Sequence, residues 1–153
     1  MYTTKIRHLE KNGRVAECPN GGFKSYRYLL ESDGMGFTVN KTVIPKGEPQ
    51  RWHYKNHLEA CFCVSGGGIL KSLETGASFT IAPDTMYVLD KHDEHTFQAL
   101  EDTVLISVFN PPLVGNEVHG EDGSYCKAED YHPLNGDDFE SAMDTRNEIN
   151  RDV

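Results

Sequence analysis

Residues 58–109 read LEACFCVSGGGILKSLETGASFTIAPDTMYVLDKHDEHTFQALEDTVLISVF. Runs rich in β-branched and aromatic residues alternate here with turn signals: LEACFCV (58–64) before SGGG, GILKSL (68–73) before ETG, ASFTIA (77–82) before PD, TMYVLD (85–90) before KHDEH, then HTFQAL (95–100) and TVLISVF (103–109) before Pro111 and Pro112. The same grammar extends upstream, with FTVNKTVI (37–44) before PKGEP and SYRYLL (25–30) before ESDGMG. Short strands at such even spacing predict an all-β antiparallel sandwich or barrel. No stretch of residues 26–112 sustains a 3.6-residue apolar period, which argues against a helical fold. A sheet closed into a small barrel leaves an inward face able to hold one small ligand.

The 153 residues amount to one domain with a single core. With 37% hydrophobic and 25% charged residues the chain is neither a membrane protein nor wholly disordered. It contains no apolar run of about 18 residues, so no spanning helix is expected and no membrane partner. MYTTKIRHLEKNGR at the start lacks the apolar stretch of a secretory signal, so a cytoplasmic location is expected. Fifteen basic and 24 acidic residues give a formal charge of −9, a surface that repels phosphate backbones and predicts no nucleic-acid partner.

The charge is uneven. Residues 127–153, KAEDYHPLNGDDFESAMDTRNEINRDV, hold eight acids and three bases, a net −5, with few large apolar groups. The expected organisation is a barrel domain over 1–126 and an acidic C-terminal extension over 127–153, a short surface helix or a disordered appendage. The cysteines are Cys18, Cys61, Cys63 and Cys126. No C-x2-C pair suggests a zinc finger, and without an export signal a disulfide framework is not expected. Cys61 and Cys63, two apart on a strand, point to the same face and read as small buried side chains.

Histidines cluster twice. His53 and His57 flank Tyr54–Asn56 with Glu59 close by, and His92 and His95 follow about thirty residues later, just after Tyr87. Two such segments on neighbouring strands are one way for a barrel to present a divalent ion to its interior. The competing reading is a set of hydrogen-bonded structural histidines, and the residues alone leave both open. The spacing Gly47-x5-His53 followed by Glu59-x6-Gly66 resembles the first signature of the cupin superfamily, G-x5-H-x-H-x3-E-x6-G, with Lys55 at the second histidine. The second signature is looser: Gly76 and Pro83 are present with one extra residue between them, Thr85 stands for a glycine, and the usual histidine falls on Val88. The resemblance implies a cupin-type jelly roll whose common ligand set is broken.

A closer likeness lies in DGMGF (33–37), YKNHLEA (54–60), TMYVLDKHDEH (85–95) and FNPPLVGNEVHGEDGSY (109–125), which resemble the ectoine synthase family over about residues 1–125. The resemblance implies an Fe2+ ion on Glu59, Tyr87 and His95; Zn2+ accepts the same donors. It implies a substrate pocket formed by Phe23, Ser25, Arg27, Asn40, Thr42, Ser107 and Phe109, with Tyr54, Glu117 and His119 as catalytic candidates. The implied activity is that of a carbon–oxygen lyase making a compatible solute under osmotic stress: the α-amino nitrogen of N-γ-acetyl-L-2,4-diaminobutyrate attacks its own acetamide carbon, water leaves, and the cyclic amidine ectoine forms. Arg27 would hold the substrate carboxylate and Glu117 its amino group. The family is usually a homodimer. Five positions depart from its usual wording: Phe23 for a Trp, Ser107 for a Cys, His53 for a Trp, and Phe62 and Gly67. These keep two rivals in view, a cupin enzyme acting on a related small substrate (including reverse hydrolysis of a cyclic amidine) and a non-catalytic solute-binding barrel.

Overall fold

A computed structural model of the chain describes residues 1–18, 21–115 and 117. The extension 127–153, together with Cys126 and His119, lies outside the described residues. A two-turn helix, α1 (Ile6–Lys11), buries Leu9 and leads into the strands β1 (Val15–Glu17), β2 (Lys24–Leu29), β3 (Thr38–Ile44), β4 (Gln50–Trp52), β5 (Leu58–Ser72), β6 (Ser78–Ile81), β7 (Met86–Leu89) and β8 (His95–Asn110). Every strand pairing recorded among the described residues is antiparallel. The all-β expectation holds.

Two strands organise the rest. β5 and β8 pair along their whole length, from Leu58↔Asn110 to Ser72↔His95. The outer half of each pairs with a different neighbour: β5 takes β7 at Glu59–Phe62 and β6 at Gly68–Lys71, while β8 takes β4 at His95–Phe97 and β3 at Thr103–Phe109. One layer therefore runs β1-β2-β3-β8-β5-β7 and the other β4-β8-β5-β6, continuous through the shared pair.

This corrects the sequence expectation of four strands at 58–64, 68–73, 95–100 and 103–109. SGGG is not a turn. It is the corner at which β5 bends, with register shifts between Cys63 and Gly68. Gly66 has φ +77°, and a Cβ on Gly67 would sit 2.7 Å from the Ile81 carbonyl oxygen. Thr103 locks the corner, its hydroxyl accepting from the Gly67 N–H at 2.9 Å and donating back to that residue's carbonyl. Glycine inside a strand marks a bend or a close backbone approach as readily as a turn.

Away from the corner, the strands largely alternate between buried and more accessible positions. Towards the corner the inward residues are apolar: Ile44, Cys63, Leu70, Ile81, Phe97, Ala99 and Leu105. Trp52 and Tyr87 each stack on Phe97, with centroids at 6.4 and 6.3 Å. Towards the other end the inward positions turn polar: Ser25, Arg27, Thr38, Asn40, Glu59, His95 and Ser107 are all buried. Burying polar groups costs free energy unless they have partners, so this end of the barrel requires an explanation.

Candidate active site

Cross-strand register builds the polar end one rung at a time. Arg27 on β2 faces Asn40 on β3, which faces Ser107 on β8, which faces Cys61 on β5, which faces Tyr87 on β7. All five are buried. The rung on one side is Ser25, Thr42, Leu105 and Cys63; on the other it is Thr38, Phe109, Glu59 and Leu89. Because side chains alternate along a strand, these neighbours at i ± 2 share the inward face. They surround a pocket of about 340 Å³, counting the part that opens to solvent. Phe23, Ser25, Asn40, Thr42, Tyr54, Glu59, Tyr87, Ser107 and Phe109 line it, as the sequence led one to expect. Ile44, Trp52, Cys61 and Leu105 line it as well and were missed.

Glu59 is the electrostatic centre. Burial pushes its carboxyl up to about 7, partly offset by hydrogen bonds from Cys61 and Ser107. Among the described residues no basic side chain pairs with it. The Cys61 thiol donates to Glu59 Oε1 at 3.1 Å and sits 3.1 Å from Ser107 Oγ. Burial and then the neighbouring Glu59 charge raise that thiol's pKa. Burial first, and then Cys61 and Glu59, raise the Tyr87 phenol.

His95 opens β8 opposite Trp52. It packs against two pocket residues, Trp52 and Tyr54, at 6.0 and 6.2 Å between ring centres, although it is not itself among the lining residues. Nδ1 donates to the Asp93 carbonyl at 3.0 Å, and Nε2 is buried with no hydrogen-bond partner. Burial lowers its pKa and so favours the neutral imidazole, and with Nδ1 donating to a carbonyl the lone pair falls on Nε2. Two other histidines, His57 and His92, serve the framework. His57 Nδ1 meets the Pro111 carbonyl at 2.9 Å, and His92 Nδ1 meets the carbonyls of Tyr54 and His57 at 2.9 and 3.2 Å, tying the loop that carries Tyr54 to the turn that leads into His95.

Arg27 and Glu117 are brought together, but with each other. Arg27 Nη1 lies 3.3 Å from Glu117 Oε2, Nη2 donates to the Glu117 carbonyl, and Nε is buried without a partner. The Glu117 carboxylate also accepts from the Val114 and Gly115 amides at 2.5 and 2.9 Å. Neither residue is in the pocket lining, although Arg27 lies two positions along the inward face from Ser25. Asn40 Oδ1 is buried and unpartnered inside the pocket.

Among the described residues no three His, Cys, Asp or Glu side chains gather as a metal centre. A trio of Glu59, Tyr87 and His95 depends on its phenol. These donors nonetheless suit a divalent cation: a buried carboxylate without a counter-charge, and an imidazole whose far nitrogen is fixed by a backbone carbonyl while the near one is left bare.

Comparison with known proteins places this arrangement. Crystal structures of more distant cupins share the architecture alone, among them an RmlC-like cupin from Shewanella frigidimarina at TM-score 0.51 and 17% identity, covering 63% of this chain and 82% of that one. The ectoine synthase from P. lautus superposes at TM-score 0.72 and 33% identity over 90% of this chain and 95% of its own. The L-ectoine synthase of Wolinella succinogenes is 53% identical over 108 residues, 71% of this chain and 82% of that protein. That of Marinomonas sp. is 44% identical over 125 residues, 82% of this chain and 97% of that protein. A model of the ectoine synthase family matches residues 1–129. The chain thus belongs to the ectoine synthase family, a family of lyases on a cupin barrel.

Proposed function

We propose that this protein cyclises N-γ-acetyl-L-2,4-diaminobutyrate to ectoine with loss of water, assisted by Fe2+ held by Glu59, Tyr87 and His95. The observation that carries the metal assignment is the buried, unneutralised Glu59 carboxylate together with the partnerless His95 Nε2. When bound, the ion supplies a Lewis acid that makes an inert amide carbonyl electrophilic, without redox change.

The chain's own residues do the rest. The Nε–H of Arg27, buried without a partner two positions along the inward face from Ser25, is offered to the substrate carboxylate while Glu117 holds the terminal nitrogens. Glu117 braces Arg27 and the Val114–Gly115 backbone. Asn40 Oδ1 awaits an N–H from the substrate. Phe23, Trp52 and Phe109 wall off water, so that the flexible substrate folds with amine against carbonyl. The amine must be neutral to attack and the departing oxygen must gain protons. Tyr54 in the pocket wall, whose phenol both donates and accepts, and His119 take these roles.

A second reading, a related small substrate or hydrolysis of a cyclic amidine, draws on Phe23 and Ser107. Both face the pocket and both differ from the family's usual residues. One experiment separates these readings: chelator-stripped and Fe2+-loaded protein are each offered the acetyl-diaminobutyrate and, separately, ectoine. Ring closure by the loaded form alone is expected, and Glu59→Ala or His95→Ala should strip the metal and cut turnover by about 100-fold or more while keeping the native circular dichroism. Full turnover with no bound ion would overturn the metal assignment; ring opening alone would favour the second reading.

A further inference from the structure

Cys61 has no part in the mechanism above, yet it occupies the middle of the site. On its rung it lies between Ser107 and Tyr87, and two residues along its own strand it shares the inward face with Glu59. It is 1% exposed. Its thiol donates to Glu59 Oε1 at 3.1 Å and meets Ser107 Oγ at 3.1 Å, and Tyr87 is its cross-strand neighbour on the other side. A residue that merely filled space here would not need three polar neighbours.

We propose that Cys61 is a positioning residue for cation binding: its S–H fixes the orientation of the Glu59 carboxylate, and the chain Ser107–Cys61–Glu59 holds that carboxylate ready before any ion arrives. The proposal rests on the reading of Glu59 as a metal ligand. Two considerations support it beyond the distances. A buried carboxylate held by a well-defined donor on one oxygen loses freedom to rotate about its terminal torsion, which is the soft one in glutamate. Ligating carboxylates are themselves generally hydrogen-bonded, and loss of such a partner typically weakens metal binding by about 10–100-fold. The thiol also suits its place. It is a weak donor with an apolar, polarizable body, and its neighbours along the strand face are Glu59 on one side and the apolar Cys63 layer on the other.

The test compares Cys61→Ala with Cys61→Ser. The two substitutes are nearly equal in volume and differ in whether a donor remains. Binding of Co2+ to the full chain is measured by competition with a chromophoric chelator, alongside thermal unfolding of the metal-free proteins. Cys61→Ala should weaken Co2+ binding about tenfold or more, and Cys61→Ser should bind within about threefold of the unsubstituted protein, as expected for loss and retention of a supporting hydrogen bond. The unfolding curves establish that both variants are folded at the temperature of the binding assay. Equal Co2+ affinity in Ala and Ser variants would overturn the positioning role, even where the unsubstituted protein binds the ion well. Failure of the unsubstituted protein to bind Co2+ at all would overturn the metal reading of Glu59 and the positioning role with it.

Discussion

Glu59 holds its charge under strain, and the strain has a measurable pH dependence. Its ordinary pKa of 4.5 rises to about 7 in the fold because burial opposes the ionised form. The metal-free folded state therefore binds this proton more tightly than the unfolded chain does. The stabilisation is complete below about pH 4.5 and is lost as pH rises through about 7, a swing on the order of 3 kcal/mol. Urea titrations of stripped protein from pH 5 to 8 should show stability falling with pH, and Glu59→Gln should flatten that slope. A divalent ion replaces the proton, so loaded protein should lose the slope too; an unchanged slope in Glu59→Gln would assign it to other groups. Glu59, Tyr87 and the pocket lining were legible because motif wording survives at those positions and strand alternation puts them on one face. Cys61 was not. A cysteine two residues from its like in an apolar run reads as filler, and only register reveals that its neighbour across the pair is Ser107. The residue that departs from the family wording at 107 and the thiol at 61 face one another, which no single-position reading exposes. Trp52 was missed because its strand has three residues, too few to show a period.

The same limit operates on whole elements. Most strand cores fell within a residue or two of their places, because alternation over six or seven residues is a strong signal. β1, β4 and α1 are too short to leave one. The two longest strands were each read as a pair, since a strand corner and a hairpin turn recruit the same residues, and only packing distinguishes them. That packing predicts a sensitive position. A Cβ on Gly68 would land on the carbonyl oxygen of Gln98, the residue that pairs with the adjacent Ile69, and would meet the Phe97 ring at 3.0 Å. Gly68→Ala should therefore destabilise the fold by about 2 kcal/mol or more, as overpacking does. Gly76→Ala, in a turn with open space around it, should show only the smaller backbone cost of its φ of +74°. Paired urea unfolding curves measure both, and equal losses would refute the corner assignment.

At the scale of the whole molecule, the outward side of the larger layer is unusually apolar. Val39, Val108, Ala60 and Val88 form one cross-strand row, and Ile106, Phe62 and Met86 continue the next beyond Lys41. Met86 is 60% exposed and Val88 57%. A contiguous apolar face of this kind on an acidic chain fits pairing with a second copy, the partner expected from the sequence. Sedimentation equilibrium should give twice the chain mass, and Met86→Lys with Val88→Glu should halve it while leaving the secondary structure intact. A single-chain mass for the unsubstituted protein would refute this use of the face. Among the described residues no helix is long and apolar enough to cross a membrane. The expected division into a barrel over 1–126 and an acidic extension over 127–153 has its boundary beyond the last described residue, Glu117.

The glycine corner also bears on what this barrel can accept. Where main chain rests on main chain, as at Gly67 and Ile81, there is no side chain to trim, so the girth of the cavity is fixed by the skeleton. Diversification towards bulkier or slimmer molecules must then proceed by exchanging residues on the inward rungs, and each exchange is felt by the neighbour it faces. Guest selectivity in such a vessel evolves in coupled pairs, like the thiol and hydroxyl at 61 and 107, rather than one position at a time.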